Sequence, residues 1–447
     1  MHNHECFLNR LEIQQGWSLA PLSHITLVLC GLGGMIKTLS LAAISSGIMN
    51  IKLVGEKKDR PFLRQVAENV VAHLGHETWS YIPVYSPRFI KTRNSLQPQK
   101  YVWIIDAGNP ENDHVFPETD QLAYYYSECR TGYGADYISF GTDRWRVSCN
   151  RKGIPVHDRA EIPSVCSHLI TGIIANLHIC QDIMPFPSIC RIPLPRIPYD
   201  FNDRHDNIPS ILLAGGGGAI AHQVIWAEAL DPIVKKVNQR RNFIIVDPKS
   251  IHESCRARQW GYPPESLNES KAQWTKDWIM SLFPGCNVQS FEEKLSEKNF
   301  HSLPVNGALA SIDNWMGRRL LSELCDKSEI PWWSTGSSIF GGFCRQISKN
   351  NPWCNSAKDG VERLYDRPHD DLEAETSCSA PSTPSPSSVL PQMILGSFIA
   401  CQERALMLGE VDLKYLARGI EVDLTHSNQE PGYEGLRWYP GRRLNLK

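Results

Sequence analysis

The sequence predicts an α/β protein made of two tandem units, each a parallel-rich twisted sheet with helices on both faces. Glycine-rich turns between an apolar strand and a helix occur twice, as LVLCGLGGMIKT at 27–38 and as ILLAGGGGAIAHQ at 211–223. A second internal match follows in the same order, because IPSVCSHLITGIIA at 162–175 resembles SSVLPQMILGSFIA at 387–400. Two matches in the same order indicate a tandem duplication.

Each glycine-rich turn begins the same succession of elements. In the first half it leads into the helical pattern TLSLAAISSG and the apolar strand IKLVG. In the second half it leads into the helical pattern HQVIWAEALDPIVKKV and the apolar strand NFIIVD. Strand, turn, helix and strand in this order form a β-α-β unit, whose two strands run parallel. Each half is therefore expected to contain a parallel sheet.

The boundary between the halves is predicted near residue 200. The run LPRIPYDFNDRHDNIPS at 194–210 is rich in proline and charge, which is typical of a linker. It divides the chain into a first domain over 1–200 and a second over 201–447. Inside the second domain, the polar and Ser/Pro-rich composition toward residue 388 predicts a mobile loop over 346–388.

Composition narrows the classes of protein to which the chain can belong. The 447 residues carry a net charge of -2 with 42% hydrophobic and 21% charged residues, and they contain no basic stripe, which argues against nucleic-acid binding. The N-terminus lacks the apolar core of a signal peptide, and the apolar region 25–54 is interrupted by glycines and Lys37, which argues against a membrane helix. The 14 cysteines include no C-x-x-C pair and indicate free thiols. We therefore predict a cytoplasmic protein that binds neither nucleic acid nor membrane.

The glycine-rich turns point to phosphate binding, because such turns let backbone N–H groups and a helix N-terminus approach an anion. The motif alone is weak, and a tight turn without a ligand is the alternative. A dinucleotide-binding unit also carries an acidic residue after the second strand, where it binds ribose. Asp247 ends that strand in the second half, 32 positions after Gly215, whereas the first half has Gly55 at the matching place. The two halves therefore differ in the residue expected to bind a ribose.

The segment IIVDPKSIHESCRARQW at 244–260 makes the pattern specific. It resembles the superfamily of ubiquitin-activating and ThiF-type adenylating enzymes, in which a strand-terminal Asp is followed by Asn-x-x-Arg-Gln. The resemblance implies that Asp247 binds the ribose and that Arg258 binds phosphate, with Gln259 beside it. It also implies a phosphate-binding lysine at Lys271. Simple surface charges are the alternative for Arg258 and Lys271.

Two further segments extend the resemblance. ASIDNWMGRRLLSELCDKSEIPWWSTG at 310–336 resembles the family's Asp-Asn-x-x-x-Arg stretch, which implies that Asp313 binds Mg²⁺ and that Asn314 belongs to the nucleotide site. Capping of the following helix is the alternative role for Asp313. The segment FLNRLEIQQGW at 7–17 resembles a family helix whose arginine, here Arg10, reaches the nucleotide of the opposite half.

The resemblance covers nearly the whole chain and implies two tandem Rossmann-like domains fused as a pseudo-dimer. The second half would be active and would hold the nucleotide at Gly215, Gly217 and Gly218. The first half would be inactive, because it lacks the ribose-binding acid, and would supply the dimer surface and Arg10. A second working site in the first half is the alternative.

Several positions depart from the family pattern. The family Asn is replaced by Cys255, and the third turn glycine is Ile220 in the second half and Ile36 in the first. The usual zinc site of two C-x-x-C pairs is absent, since Cys354 stands where the first pair would begin but Ala357 follows. We therefore predict no structural zinc.

A thioester-carrying cysteine would be needed for a second chemical step. The resemblance implies Cys378, in the Ser/Pro-rich stretch TSCSAPSTPSP of the predicted loop. No cation lies beside it in the sequence to lower its pKa, so an incidental loop cysteine is the alternative. Cys354 and Cys344 are the further candidates. The cysteines that lie in apolar patterns are expected in the core: Cys255, Cys325 and Cys401.

The predicted function is ATP-dependent adenylation of the C-terminal carboxylate of a ubiquitin-like protein, followed by transfer to a cysteine as a thioester. The expected cofactors are ATP and Mg²⁺. The expected partners are a ubiquitin-like carrier protein and a ubiquitin-conjugating-enzyme-like protein that receives the thioester, and homo-oligomer formation is left open. Sulfur-carrier or peptide adenylation without a thioester, and a non-catalytic scaffold, are the alternatives.

Overall fold

A computed structural model provides the three-dimensional structure of the chain. It describes residues 8, 11, 22, 25–30, 33–54, 59–74, 80–81, 101–106, 123–128, 130–131, 137–141, 154–155, 160, 162–176, 189–193, 210–301, 304–347, 387–407, 419–424 and 436–439. Two separate parallel-rich sheets with packed helices lie within this part of the chain. The predicted α/β, Rossmann-like fold class is confirmed.

The first half contains a five-stranded sheet in which all neighbouring strands are parallel. Its strands are β1 (Ile25–Cys30), β2 (Asn50–Val54), β3 (Ser80–Tyr81), β4 (Tyr101–Asp106) and β5 (Ala123–Glu128). Their order across the sheet is β3-β2-β1-β4-β5. The strands β2 and β3 therefore lie on one side of β1, and β4 and β5 lie on the other side. The order of the strands reverses at β1, and α/β sheets bind ligands in the crevice at such a reversal.

Three helices and four more short strands have their bounds within the described part of the first half. The helices are α1 (Gly34–Ser45), α2 (Arg60–Leu74) and α3 (Ile162–Asn176). The strands are β6 (Arg130–Thr131), β7 (Tyr137–Gly141), β8 (Ile154–Pro155) and β9 (Ile189–Pro193), and they pair antiparallel as β6 with β8 and β7 with β9. Every residue of α1 except Lys37 is buried, so α1 lies in the interior of the protein.

The second half contains an eight-stranded sheet in the order β12-β11-β10-β13-β14-β15-β16-β17. Its strands are β10 (Ile211–Ala214), β11 (Asn242–Val246), β12 (Asn287–Phe291), β13 (Gly307–Ala310), β14 (Trp332–Ser337), β15 (Gly341–Ile347), β16 (Gly419–Asp423) and β17 (Leu436–Tyr439). The pairings from β12 to β14 are parallel and those from β14 to β17 are antiparallel. The five parallel strands therefore repeat the order of the first sheet.

The helices of the second half pack around this sheet. They are α4 (Ala219–Leu230), α5 (Pro232–Asn238), α6 (Glu253–Arg256), α7 (Lys271–Leu282), α8 (Glu297–Phe300), α9 (Trp315–Lys327) and α10 (Val389–Met407). All four residues of β10 are buried, as expected for a central parallel strand covered on both faces. Among the helices that the structure describes, none is long and apolar enough to cross a membrane.

The two halves meet through four helices. Helix α3 packs against α1 and α10, and α10 packs against α4. Ser167 Oγ donates to the Leu390 carbonyl oxygen at 2.7 Å, and the Ser164 N–H donates to Ser397 Oγ at 2.9 Å. The two segments of the second internal match thus form helices that contact each other across the junction between the halves.

Two predicted connecting segments lie mostly outside the described residues. Of the linker 194–210, the structure describes only Ser210, and of the loop 346–388 only its first two and last two residues. The domain boundary near residue 200 and the mobility of the loop therefore stay predictions.

Candidate nucleotide site

The turn from β10 to α4 consists of four consecutive glycines and lies against charged side chains. Gly215 has a φ of 68°, and a Cβ there would lie 2.7 Å from the Ser311 carbonyl oxygen. At Gly217 a Cβ would lie 2.5 Å from Cβ of Lys271 and 2.9 Å from Oδ2 of Asp247. Only glycine fits at these two positions. The backbone of the turn is consequently held in direct contact with a lysine and an aspartate.

Asp247 directly follows β11 and lies beside this turn. Its Oδ2 accepts a hydrogen bond from the Gly217 N–H at 3.0 Å, and its Oδ1 accepts one from the Lys249 N–H at 3.0 Å. Burial raises the pKa of Asp247 above its ordinary value, while Lys271 and these N–H groups oppose the rise. A carboxylate oxygen accepts more than one hydrogen bond, so Asp247 can also receive ribose hydroxyls.

Lys271 is the first residue of α7 and points into the same site. Ser270 caps the helix by accepting a hydrogen bond from the Gln273 N–H at 3.3 Å. Burial lowers the pKa of Lys271, but the Cys255 thiol and the Asp247 carboxylate outweigh this effect and raise the pKa overall. The lysine is 3% exposed. It is therefore a buried cation, and the alternative of a surface charge is wrong.

Arg258 and Gln259 form a turn after α6, in which both N–H groups donate to the Cys255 carbonyl oxygen at 3.0 Å. Both side chains are buried, so the surface-charge alternative is also wrong for Arg258. Arg258 Nη2 donates to the Ser254 carbonyl oxygen at 3.5 Å. Within the described residues, Arg258 Nε and Gln259 Oε1 have no hydrogen-bond partner. Buried polar atoms are normally paired, so these two fit the binding of a polar ligand such as a phosphate.

Cys255 stands where the family has Asn, and its side chain faces Lys271 and Arg258. Burial raises the pKa of the Cys255 thiol, but Lys271 and Arg258 lower it, and the net pKa lies below the ordinary value. Sulfur is a weak hydrogen-bond acceptor, and it becomes a stronger one as a thiolate. The substitution therefore keeps an acceptor next to the buried lysine.

Asp313, the predicted magnesium ligand, lies in the loop after β13. Its Oδ2 forms an ion pair with Lys249 Nζ at 2.6 Å, and both side chains are partly exposed. Mg²⁺ is usually bound by one or two carboxylates together with phosphates and water. No group of three His, Cys, Asp or Glu side chains gathers in the described part of the chain. Asp313 therefore fits a single protein ligand that acts together with phosphates, with Lys249 as a competing cation.

The start of α9 is capped by Asn314 and not by Asp313. Asn314 Oδ1 accepts a hydrogen bond from the Gly317 N–H at 2.7 Å, so the capping alternative for Asp313 is wrong. Arg318 Nε donates to the Ile312 carbonyl oxygen at 2.9 Å. These bonds fix the loop that carries Asp313. The predicted contact of Asn314 with the nucleotide stays a prediction.

A buried polar layer behind the glycine turn was not predicted from the sequence. Tyr262 Oη is hydrogen-bonded to Thr275 Oγ1 at 2.9 Å and donates to the Gly217 carbonyl oxygen at 3.3 Å. His222 Nε2 lies 3.2 Å from Thr275 Oγ1. Thr275 follows Lys271 by one helical turn and shares its face, which was the available sequence signal. The layer supports the backbone of the turn through the hydrogen bond from Tyr262 to Gly217.

The remaining predicted site residues include several that the structure does not describe. Arg10, Cys378 and Cys354 lie outside the described residues and stay predictions. Cys344 lies in β15, where burial raises the pKa of its thiol far above the ordinary value, so it is a poor candidate for a nucleophile. The cysteines expected in the core are buried: Cys255, Cys325 and Cys401.

One family model and several solved structures are similar to parts of this chain. The model of the ThiF family matches residues 209–421. A crystal structure of PaaA has a TM-score of 0.39 and 13% sequence identity over 52% of this chain and 72% of that chain. A crystal structure of E. coli MccB with ATP has a TM-score of 0.38 and 11% identity over 53% of this chain and 64% of that chain. This chain thus spans just under two thirds of the length of that MccB chain.

The matched region contains each charged residue of the site. It begins two residues before β10, carries the glycine turn, Asp247, Arg258, Lys271 and Asp313, and ends within β16. The match to the ThiF family over residues 209–421 therefore covers the whole candidate site.

Proposed function

We propose that the chain uses ATP to adenylate a carboxylate of a protein or peptide, at one working site in the second half. The observation that carries this proposal is the placement of Lys271 and Asp247 beside the glycine turn, with Arg258 close enough to act on Lys271. All three side chains are buried. A buried charge is costly unless a partner of opposite charge compensates it. Two buried cations beside a single carboxylate support binding of an anion as highly charged as a triphosphate.

Each part of ATP has a matching group in this arrangement. The N–H groups of the glycine turn and the N-terminus of α4 suit the phosphates. The Asp247 carboxylate suits the ribose hydroxyls, and the planar guanidinium of Arg258 suits a forked contact with phosphate oxygens. Lys271 lies beside these groups, because its Cβ is next to Gly217 and its charge interacts with the Asp247 carboxylate.

The proposed step needs little from the protein beyond position and charge. A carboxylate oxygen of the substrate attacks the α-phosphorus, the bond to the bridging oxygen breaks, and pyrophosphate leaves with the electron pair. The product is an acyl-adenylate, and no proton is transferred. Lys271 and Arg258 would reduce the repulsion between the two anions and stabilise charge on the leaving phosphates. When bound, Mg²⁺ would add positive charge at those phosphates, with Asp313 as its protein ligand.

The finer proposal concerns the acyl substrate and its fate. We propose that the substrate is the C-terminal carboxylate of a ubiquitin-like protein and that Cys378 accepts the acyl group as a thioester. A conjugating-enzyme-like partner would then receive it. The resemblance of the sequence to ubiquitin-activating enzymes supports this proposal, and the burial of Cys344 removes one competing thiol. Adenylation of a sulfur carrier or peptide without a thioester is the competing outcome.

Exchange of labelled pyrophosphate into ATP tests the first step. With a panel of ubiquitin-like proteins as acyl substrates, Lys271→Ala should lower the exchange rate by about 10²–10³-fold, since a donor to developing charge is lost. Lys276→Ala is the matched control, because Lys276 lies on the same helix but is partly exposed, and it should stay within about twofold. Equal rates for Lys271→Ala and wild type would contradict the proposed site.

A non-reducing gel tests the second step. Wild type incubated with ATP and its carrier should form an adduct that added thiol cleaves, and Cys378→Ala should form none while retaining pyrophosphate exchange. Cys286→Ala, which removes a partly buried cysteine far along the chain from the predicted loop, should still form it. An adduct on Cys378→Ala would move the role to another thiol such as Cys354. Exchange by wild type without any adduct would favour sulfur-carrier or peptide adenylation.

A further inference from the structure

We propose that Trp260 is a positioning residue of the nucleotide site, through which the first half of the chain fixes the placement of Arg258 and Gln259. The inference rests on the proposed function, since it assigns a consequence for ATP binding. Trp260 is the residue that directly follows Gln259. Its indole Nε1 donates a hydrogen bond to Ser45 Oγ, the last residue of α1, at 3.1 Å.

The contact between Trp260 and the first half is buried. Trp260 is 6% exposed and Ser45 is 1% exposed. The indole belongs to an apolar cluster that includes α1 residues of the first half, such as Ile44, together with Ala257 of the second half. A buried tryptophan combines a large contact area with an N–H that must find an acceptor, so its orientation is strongly constrained.

The turn that carries the phosphate-binding side chains is held from two sides. On the second-half side, Gln223 Nε2 donates to the Arg258 carbonyl oxygen at 3.3 Å, and the Gly261 N–H donates to His222 Nδ1 at 3.3 Å. On the first-half side, Trp260 between these two positions is held by Ser45. Because Gln259 and Trp260 are adjacent, release of the indole from Ser45 frees one end of the segment that orients Arg258.

Trp226 provides a matched control at the same junction. Its Nε1 donates to Thr38 Oγ1 of α1 at 3.0 Å, and its ring meets the Trp260 ring edge-on with centroids 5.7 Å apart. Both tryptophans therefore tie the second half to α1 by one indole hydrogen bond. Trp226 lies within α4, however, and neither of its sequence neighbours is a predicted phosphate ligand.

The experiment compares Trp260→Phe, Ser45→Ala and Trp226→Phe in the full chain. The readouts are the Kd of ATP by calorimetry, the KM of ATP and kcat in pyrophosphate exchange, and Tm. Trp260→Phe and Ser45→Ala should each raise Kd and KM by roughly two- to tenfold, the range that loss of one buried hydrogen bond implies, with kcat at saturating ATP nearly unchanged. The double variant should be no worse than either single variant, because both remove the same bond.

Trp226→Phe should lower Tm as Trp260→Phe does and leave the KM of ATP unchanged. Equal rises in KM for both tryptophan variants would overturn the proposal, since they would reflect a general loss of packing at the junction. Unchanged KM in both Trp260→Phe and Ser45→Ala would overturn it as well. If Trp260→Phe does not fold, the Kd and KM of Ser45→Ala alone test the proposal. Failure of wild type to bind ATP would refute the proposed function and is distinguishable from each of these results.

Discussion

The two halves of the chain have parallel strands in the same order and differ in the residues beside the glycine-rich turn. Both place their parallel strands in the same order and begin a buried helix from a glycine-rich turn after the central strand. In the second half, the strand next to that turn ends in Asp247, and buried cations surround it. In the first half, the sequence continues from β2 into Gly55, which can bind nothing through a side chain. A strand order and its turn can therefore recur without the acidic residue that the proposed ribose contact requires.

The helices at the junction point to a supporting role for the first half. We propose that the halves form a fused pseudo-dimer in which α1 and α3 support α4 and α10. The packing of α3 on α10, the contacts between Ser167 and Leu390, and the almost complete burial of α1 are in accord with such a supporting role.

The largest expected effect is on ATP binding, and its measurement tests whether the second half alone binds ATP. Calorimetry should give one ATP for each chain, and Asp247→Ala should remove measurable binding because Lys271 loses its carboxylate partner and the ribose loses its acceptor. Asp106→Ala is the matched control, since Asp106 ends a strand of the first sheet, and it should keep one site. Two equivalent sites in wild type would make the first half a working site and reverse the comparison.

A smaller but still large effect is expected at Arg10, the residue through which the first half is predicted to reach the nucleotide. Arg10→Ala should lower pyrophosphate exchange by about 10²–10³-fold, because one positive charge on the leaving phosphates is lost. Arg60→Ala, at an exposed first-half position, should have little effect. An unchanged exchange rate in folded Arg10→Ala would mean that the first half contributes no charge to the site.

The two glycine turns can be compared directly by adding a methyl group to each. Gly217→Ala should cost about 1–3 kcal/mol of stability and weaken ATP binding, because its Cβ would overlap Lys271 and Tyr262. Gly33→Ala should cost about 1–2 kcal/mol, because Gly33 has a φ of 85°, and should leave ATP affinity unchanged. Denaturant unfolding and calorimetry check both. Weaker ATP binding in Gly33→Ala would couple the first turn to the nucleotide.

The smallest expected effect concerns a buried acid in α4 that has no counterpart in α1. Arg241 contacts Glu228 at 3.3 Å and Glu403 at 2.7 Å, so one guanidinium faces two buried carboxyl groups. Burial raises the pKa of Glu228 from 4.5 to about 8, against the opposing effect of Arg241. The folded state therefore holds a proton on Glu228 that the unfolded state releases above about pH 4.5.

It follows that the free energy of unfolding falls as pH rises from about 4.5 to about 8. Glu228→Gln mimics the protonated acid, so its Tm should depend less on pH between 6 and 9 than that of wild type, with about 2–4 °C expected for each kcal/mol. Glu323→Gln, at a more exposed ion pair, should follow wild type. Parallel pH profiles for wild type and Glu228→Gln would place the proton elsewhere.

Much of the fold followed from local patterns in the sequence. The glycine turns and apolar strands predicted both parallel sheets, since these features act over a few residues. The antiparallel extension from β15 to β17 was not predicted, because it depends on pairing between β15 and β16, which the chain separates by the whole stretch from 348 to 418. Such pairing is decided by tertiary packing that no short pattern reports.

The candidate site also contains residues that a local sequence pattern predicted and residues that it did not. Asp247, Arg258 and Lys271 were predicted because a motif fixes their spacing, and the structure places Asp247 and Lys271 at one glycine turn with Arg258 near Lys271. Tyr262 and Lys249 were missed, since a buried phenol and a partly exposed lysine carry no local signal. The alternative that Asp313 caps α9 was wrong by one residue, because Asp and Asn are both favoured N-caps and only the observed bond to Gly317 decides between them.

The way α10 begins has a consequence for how this chain can change over evolution. Ser388 Oγ donates to the Ile339 carbonyl oxygen, and Gln392 Nε2 donates to Ser337 Oγ at 3.1 Å, so the start of α10 is fastened to the connection between β14 and β15. The preceding stretch from 348 to 386 is therefore bounded by β15 and by a helix whose start is fastened beside β15. Since the entropy of closing a connection grows only slowly with its length, we expect insertions and deletions in this stretch to cost little stability.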